Sequence, residues 1–351
     1  MFNLNFDTPE LQFPCHPRHE ALAARIKLEL AGLGLTDHFI VFSSGTTSSD
    51  LKGYALSRKA LLINAQAVNE HFKLSKDDVW GLSLPYFHVG GLSVIARAHV
   101  LGSRLVDLGL WSPLEWNQKL LQEGVTITTV VPAQVFDLVQ NNLHAPSNLK
   151  YLVVGGDFLS SELAKKAQDL GWPLIRTFGM TEVCSQLASS STPHDPVLKV
   201  LPIHQVKINT ANQLLVKGES LFTLEFKLRE SLEVTYASDL CDEDGFYLTR
   251  DLASINEQTL TPLGRMDDQI KVGGKLLSMN SLKEILYEYA LRKDCYGKVE
   301  LSLEADDRMG KKLIVMHLPN VQIPADLFSP LKFTLKEVNS FDRTDLGKLK
   351  K

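Results

Sequence analysis

The chain has 351 residues, 44% of them hydrophobic and 22% charged, and a formal net charge of −4. That is ordinary globular composition at a length that fits two domains, and the slight acidity argues against a nucleic-acid footprint or a basic membrane patch. No apolar run approaches the length of a membrane span, the opening MFNLNFDTPE lacks a basic-then-apolar leader, and the cysteines at 15, 184, 241 and 295 form no close pair. A soluble cytoplasmic protein without a zinc site or disulfide framework is therefore expected.

From residue 38 to about 177, short apolar runs alternate with longer amphipathic ones. Strands are predicted at His38–Phe42, Trp80–Leu84, Arg104–Leu108, Thr126–Val131, Tyr151–Val154 and Leu174–Phe178, bounded by Gly, Pro or Ser. A helix capped by Ser57 should place Leu61, Ala65, Val68 and Phe72 on one face, and further helices should cover 114–123, 133–142 and 161–170. This rhythm predicts an α/β fold with a mainly parallel sheet flanked by helices. Residues 189–196 read as a loop. From 197 to 260 the apolar period becomes two, which predicts a small antiparallel β-subdomain. After Gly264 a new unit begins, with a helix near 281–292 and strands near 296–303 and 312–318. The expected division is a large domain at 1–264 and a small α+β domain at 265–351.

Six segments carry chemistry. SSGTTSSDLKG (43–53) follows the first strand; its hydroxyls and free backbone N–H groups suit an anion, and Lys52 adds a positive charge. It is not a Walker A loop, because Gly53 follows the lysine instead of preceding it. VVGGD (153–157) and FGMTE (178–182) both end strands, where ligands of open α/β sheets bind. Gly155 and Gly156 permit close approach to a flat ligand, Phe178 offers a ring face, and Glu182 is a hard oxygen ligand for Mg²⁺. In YLTRDLASI (247–255), Asp251 can accept from ribose hydroxyls. In GRMDDQIKVGGK (264–275), Arg265 can reach ribose or phosphate. DRTDLGKLKK (342–351) puts Lys348 after a glycine turn, a mobile point charge. Each segment alone also reads as a plain turn or a solvated surface.

In this order the six resemble the acyl-adenylate-forming family, which includes acyl-CoA synthetases, luciferase and peptide-synthetase adenylation domains. The resemblance runs from about residue 38 to the end. It implies that Ser43, Ser44, Gly45, Thr46, Thr47 and Lys52 hold the β- and γ-phosphates of ATP. Gly155, Gly156 and Phe178, with Asp157 and Gly179 beside them, would form the adenine site. Thr181 would meet the α-phosphate, Glu182 would bind Mg²⁺, and Asp251 with Arg265 would hold the ribose. Asp267 matches the family's hinge and Lys348 its catalytic lysine. LPYFHVGGL (84–92), centred on His88, resembles the segment lining the acyl pocket. The implied reaction is ATP-dependent activation of a carboxylic acid, then transfer to the thiol of coenzyme A.

The sequence departs from the family in places. Only 42 residues precede the loop, Ser48 stands where glycine is preferred, Arg250 precedes Asp251, and Asp157 replaces a small residue. The short N-terminus and LPYFHVGGLSVIARAHVLGSRLV resemble the branch that joins o-succinylbenzoate to CoA for menaquinone. His88 and Arg97 are the candidates for a second substrate carboxylate. A homo-oligomer is an expectation, since a shortened N-terminus leaves apolar surface for a partner subunit. Loading of a carrier protein and a degenerate nucleotide-binding protein are the rival readings.

Overall fold

The computed structural model describes residues 4–14, 20–42, 51–228, 232–272, 275–306 and 310–341. Helix α1 (Glu20–Ala31) leads into a hairpin of β1 (His38–Phe42) and β2 (Leu51–Ser57), followed by α2 (Arg58–His71) and β3 (Val79–Leu82). Then come α3 (Val89–Leu101), β4 (Arg104–Asp107), α4 (Pro113–Gln122), β5 (Ile127–Val130), α5 (Pro132–Gln140), β6 (Tyr151–Val154), α6 (Ser161–Asp169) and β7 (Leu174–Met180). The predicted N-cap is present: the Ser57 hydroxyl accepts from the Ala60 N–H at 3.1 Å. Leu61, Ala65, Val68 and Phe72 are all buried on one face of α2. Helix α3 was not foreseen; its run VGGLSVIARAHVL is apolar nearly all round and so shows little periodicity.

β4, β3, β5, β6 and β7 lie side by side and parallel. Period-two alternation sends their side chains to opposite faces. Val153 and Ile175 pack with α2 and α3, while Leu152, Val154 and Leu174 pack with α4 to α6. The chain leaves β3 for β4 on one side and returns to β5 on the other. That reversal opens a crevice at the carboxyl ends of β3 and β5.

The antiparallel alternation after residue 197 is also realised, but split between two sheets. β8 (Ser185–Ser189), β9 (Leu198–Val200), β10 (His204–Ile208), β11 (Gln213–Gly218), β14 (Tyr247–Asn256) and β15 (Thr259–Arg265) extend β7 into one eleven-stranded sheet. β12 (Leu224–Leu228) and β13 (Leu232–Tyr236) pair instead with the β1–β2 hairpin. β1 was expected in the parallel sheet. Its short return to β2 suits an antiparallel pair, whereas a parallel neighbour needs a longer crossover. Beyond Arg265, β16 (Gln269–Val272) and β17 (Lys275–Ser278) form a separate hairpin. α7 (Met279–Arg292) then covers a sheet of β18 (Val299–Asp306), β19 (Gly310–His317) and β20 (Phe333–Glu337). α7 meets the large sheet's helices: Glu284 accepts from the Ser161 N–H at 2.8 Å, and the Tyr296 and Phe136 rings lie 4.5 Å apart. Among the described residues, no helix is long and apolar enough to cross a membrane.

His204, at the start of β10, is 5% exposed, and burial pulls its pKa down to about 4. The unfolded ring titrates near 6.5, so between these values the unfolded chain binds the extra proton. Stability is complete above pH 6.5 and falls as pH drops toward 4, by roughly 3 kcal/mol at full effect. Denaturant unfolding of wild type and His204→Gln across pH 4–7 should show that slope only in wild type. Equal slopes would assign the acid sensitivity elsewhere.

Candidate functional site

Parallel strands bring the two strand-end motifs together. The β6–β7 register sets Val154 opposite Arg176, so Gly155 lies beside Thr177, and Gly156 follows in the turn. A Cβ on Gly155 would stand 2.4 Å from Thr177 Oγ1, so glycine is what lets the turn close on β7. Gly156 has φ +86°, a left-handed conformation that favours glycine. Phe178 is half-buried against the apolar cluster that includes Val183 and Leu187. Asp157, just past the turn, pairs with Lys283 of α7 at 3.8 Å, which answers part of the charge that would oppose an anion here.

β7 then bulges between Phe178 and Gly179 and ends in a 3-10 turn at Thr181–Val183. A Cβ on Gly179 would lie 1.8 Å from the Ser185 carbonyl oxygen, a backbone atom that cannot swing aside. Gly179→Ala is expected to cost at least the 1–3 kcal/mol typical of overpacking, or about that order. Chemical denaturation checks this; a variant as stable as wild type would mean that the bulge relaxes freely.

Glu182 sits in that turn. Its Oε1 accepts from the Tyr54 hydroxyl of β2 at 2.8 Å, and its carbonyl accepts from the Phe222 N–H at 2.9 Å. Tyr247 stands against Phe222, their ring centroids 5.1 Å apart. Burial, then the charges of Glu182 and Glu225, push the Tyr247 phenol well above its ordinary range. Asp251 lies further along the same strand, directly opposite Arg265 in the β14–β15 register, so the two predicted ribose residues are cross-strand neighbours. The 3-10 turn at Met266–Asp268 contains Asp267 and separates β15 from β16.

Lys52 has a side-chain partner that the sequence did not suggest. It lies on strand β2, and its ammonium pairs with Glu225 of β12 at 2.7 Å. Glu225 is 7% exposed and was missed, because a lone glutamate in an alternating strand reads as solvent-facing. Register makes the pair: Glu225 is opposite Tyr54, hence diagonal to Lys52. Ser43, Ser44, Gly45, Thr46, Thr47 and Lys348 lie outside the described residues, as do Gly273 and Gly274.

The segment 84–92 leaves the carboxyl end of β3 at the crevice. His88 is the N-cap of α3 and is half-buried. Arg97 lies nine residues on, about 13 Å along the axis at 1.5 Å per residue, so the two mark different depths. Arg97 is 1% exposed; its guanidinium lies 5.5 Å from the centroid of the Trp80 ring and donates to Ser185 Oγ at 3.3 Å and Gln186 Oε1 at 3.4 Å. Its Nε has no hydrogen-bond partner among the described residues, and no carboxylate there forms an ion pair with it. Burial pulls its pKa down to about 9, still charged at neutral pH.

A helix-covered open sheet carrying glycine turns and an acidic turn at its strand ends, with an Asp–Arg pair across adjacent strands, has the build of a nucleotide-binding protein. The model of the AMP-binding enzyme family matches residues 36–219, just over half of the chain, and the chain belongs to that family. It is 28% identical over 297 residues to a 2-succinylbenzoate–CoA ligase of Staphylococcus epidermidis, covering 81% of this chain and 60% of the relative. A ligase of the same name from Bacillus cytotoxicus is 28% identical over 274 residues, covering 72% of this chain and 54% of the relative. The chain thus spans little more than half the length of these relatives. In fold it is similar to the Bacillus subtilis o-succinylbenzoate CoA synthetase solved with its acyl-adenylate intermediate: TM-score 0.74, 21% identity, covering 89% of this chain and 67% of that one.

Proposed function

We propose that this chain is an AMP-forming acid–thiol ligase that activates a dicarboxylic aromatic acid of the o-succinylbenzoate type and passes the acyl group to coenzyme A. The observation that carries the acid class is Arg97, a buried cation without an acidic partner among the described residues, in the helix that leaves the crevice. A buried charge is costly unless it is paired, and a second substrate carboxylate would pair it. The names of the curated relatives, and the acyl-adenylate held by the Bacillus subtilis structure, support the same class.

In this reading a substrate carboxylate oxygen attacks the α-phosphorus of ATP, and pyrophosphate leaves. Positioned donors and cations stabilise the charge on phosphate oxygens. The hydroxyls and N–H groups of 43–50 serve the β- and γ-phosphates, Thr181 the α-phosphate, and Asp251 with Arg265 the ribose. Lys52, paired with Glu225 in this structure, adds its charge to the same phosphates. Glu182 would hold Mg²⁺, which supplies charge neutralisation on the phosphates. Among the described residues no three His, Cys, Asp or Glu side chains could cage a metal, so its other ligands would come from phosphates and water, the usual habit of Mg²⁺. Residues 1–264 act as the binding domain and 265–351 as a lid that brings Lys348 to the reacting phosphate, then turns at Asp267. The CoA thiol then attacks the acyl carbonyl, loses its proton, and AMP leaves.

ATP–pyrophosphate exchange with a panel of acids, o-succinylbenzoate first, followed by detection of the CoA thioester, tests this. Acid-dependent exchange with thioester supports it. Exchange without thioester points to a carrier-protein acceptor, and no exchange despite ATP binding points to a degenerate nucleotide-binding protein.

A further inference from the structure

Two carboxylates stand near the Tyr54 phenol, and the fold treats them differently. Glu225 is neutralised by Lys52 at 2.7 Å, with Lys227 at 3.9 Å as a second cation. Glu182 has no Lys or Arg ion pair among the described residues; its side-chain partner is the neutral Tyr54 hydroxyl at 2.8 Å. Tyr54 is 2% exposed, and its ring meets Phe222 edge-on at 5.3 Å, with the Lys52 ammonium 5.0 Å from its centroid. A phenylalanine would fill this space equally well, so the hydroxyl has its use at Glu182.

We propose that Tyr54 is a positioning residue for Glu182: its phenol occupies one carboxylate oxygen and fixes the rotamer, leaving the other oxygen and the full negative charge for the metal that accompanies the nucleotide. The proposal rests on the reading of Glu182 as the Mg²⁺-bearing carboxylate. An ammonium in the same place would orient the carboxylate but cancel the charge that attracts a cation; a phenol orients it without that loss. The Phe222 N–H, fixed to the Glu182 carbonyl, anchors the backbone from which this carboxylate projects.

The test is ATP affinity, measured by calorimetry in EDTA and across a Mg²⁺ titration, for wild type, Tyr54→Phe and Glu182→Gln, with the melting temperature of each. Tyr54→Phe should bind ATP like wild type in EDTA, melt like wild type, and need about 10–100-fold more Mg²⁺ for the metal-dependent gain. The double variant should be no worse in that gain than Glu182→Gln alone, which a loss of packing would not produce. A wild-type Mg²⁺ response in Tyr54→Phe, with the response lost in Glu182→Gln, overturns the role of Tyr54. A wild type indifferent to Mg²⁺, or a Glu182→Gln variant that responds normally, removes the reading of Glu182 and the proposal with it.

Discussion

Replacing Glu182 by Gln is expected to cut acid-dependent ATP–pyrophosphate exchange by on the order of 10²–10³, the range seen when one group stabilising developing charge is removed. The substitution keeps the side chain's shape, and the Gln carbonyl can still accept from the Tyr54 hydroxyl that now reaches Glu182 at 2.8 Å. What disappears is the negative charge. The melting temperature should therefore hold while the exchange rate collapses, and the loss should appear with every acid tested, because the metal acts on the nucleotide and not on the acyl group. Exchange within a fewfold of wild type would assign the metal to another residue.

Arg97→Met carries the second large effect, in two opposite directions. The guanidinium is 1% exposed and has no carboxylate partner among the described residues, so the folded chain carries a desolvated charge. Replacing a buried charge with a flexible apolar side chain of similar length is expected to stabilise the fold, by about 1–4 kcal/mol where repacking succeeds. The same change removes the cation offered to the second carboxylate of the acid. kcat/KM for o-succinylbenzoate should fall by about 10²-fold, as when one member of a buried charge pair is removed. A monocarboxylic aromatic acid should lose little, so the ratio of the two separates recognition from general damage. Equal losses for both acids would sink the assignment of Arg97.

The parallel strands were legible in the sequence because strands buried on both faces are continuous apolar runs with sharp boundaries, as in Tyr151–Val154, which recurs with identical ends. Ser57 was legible because a cap is a local device. The strand-end motifs were legible as an ordered set, and the fold does bring Gly155 beside Thr177 and Asp251 opposite Arg265. What escaped was set by register between distant strands. Glu225 and Tyr54 look unremarkable in LEFK and KGYA, and only the β2–β12 pairing sets one against the other. The placement of β1 was misread for the same reason: HFIVF is an apolar run whichever sheet receives it.

β7 is the strand at which the large sheet changes sense, with parallel β6 on one side and antiparallel β8 on the other. Cutting the chain near residue 190 to isolate the parallel half would detach most of the antiparallel extension and leave β8 as a bare edge able to recruit foreign strands. The two halves are thus one unit for expression.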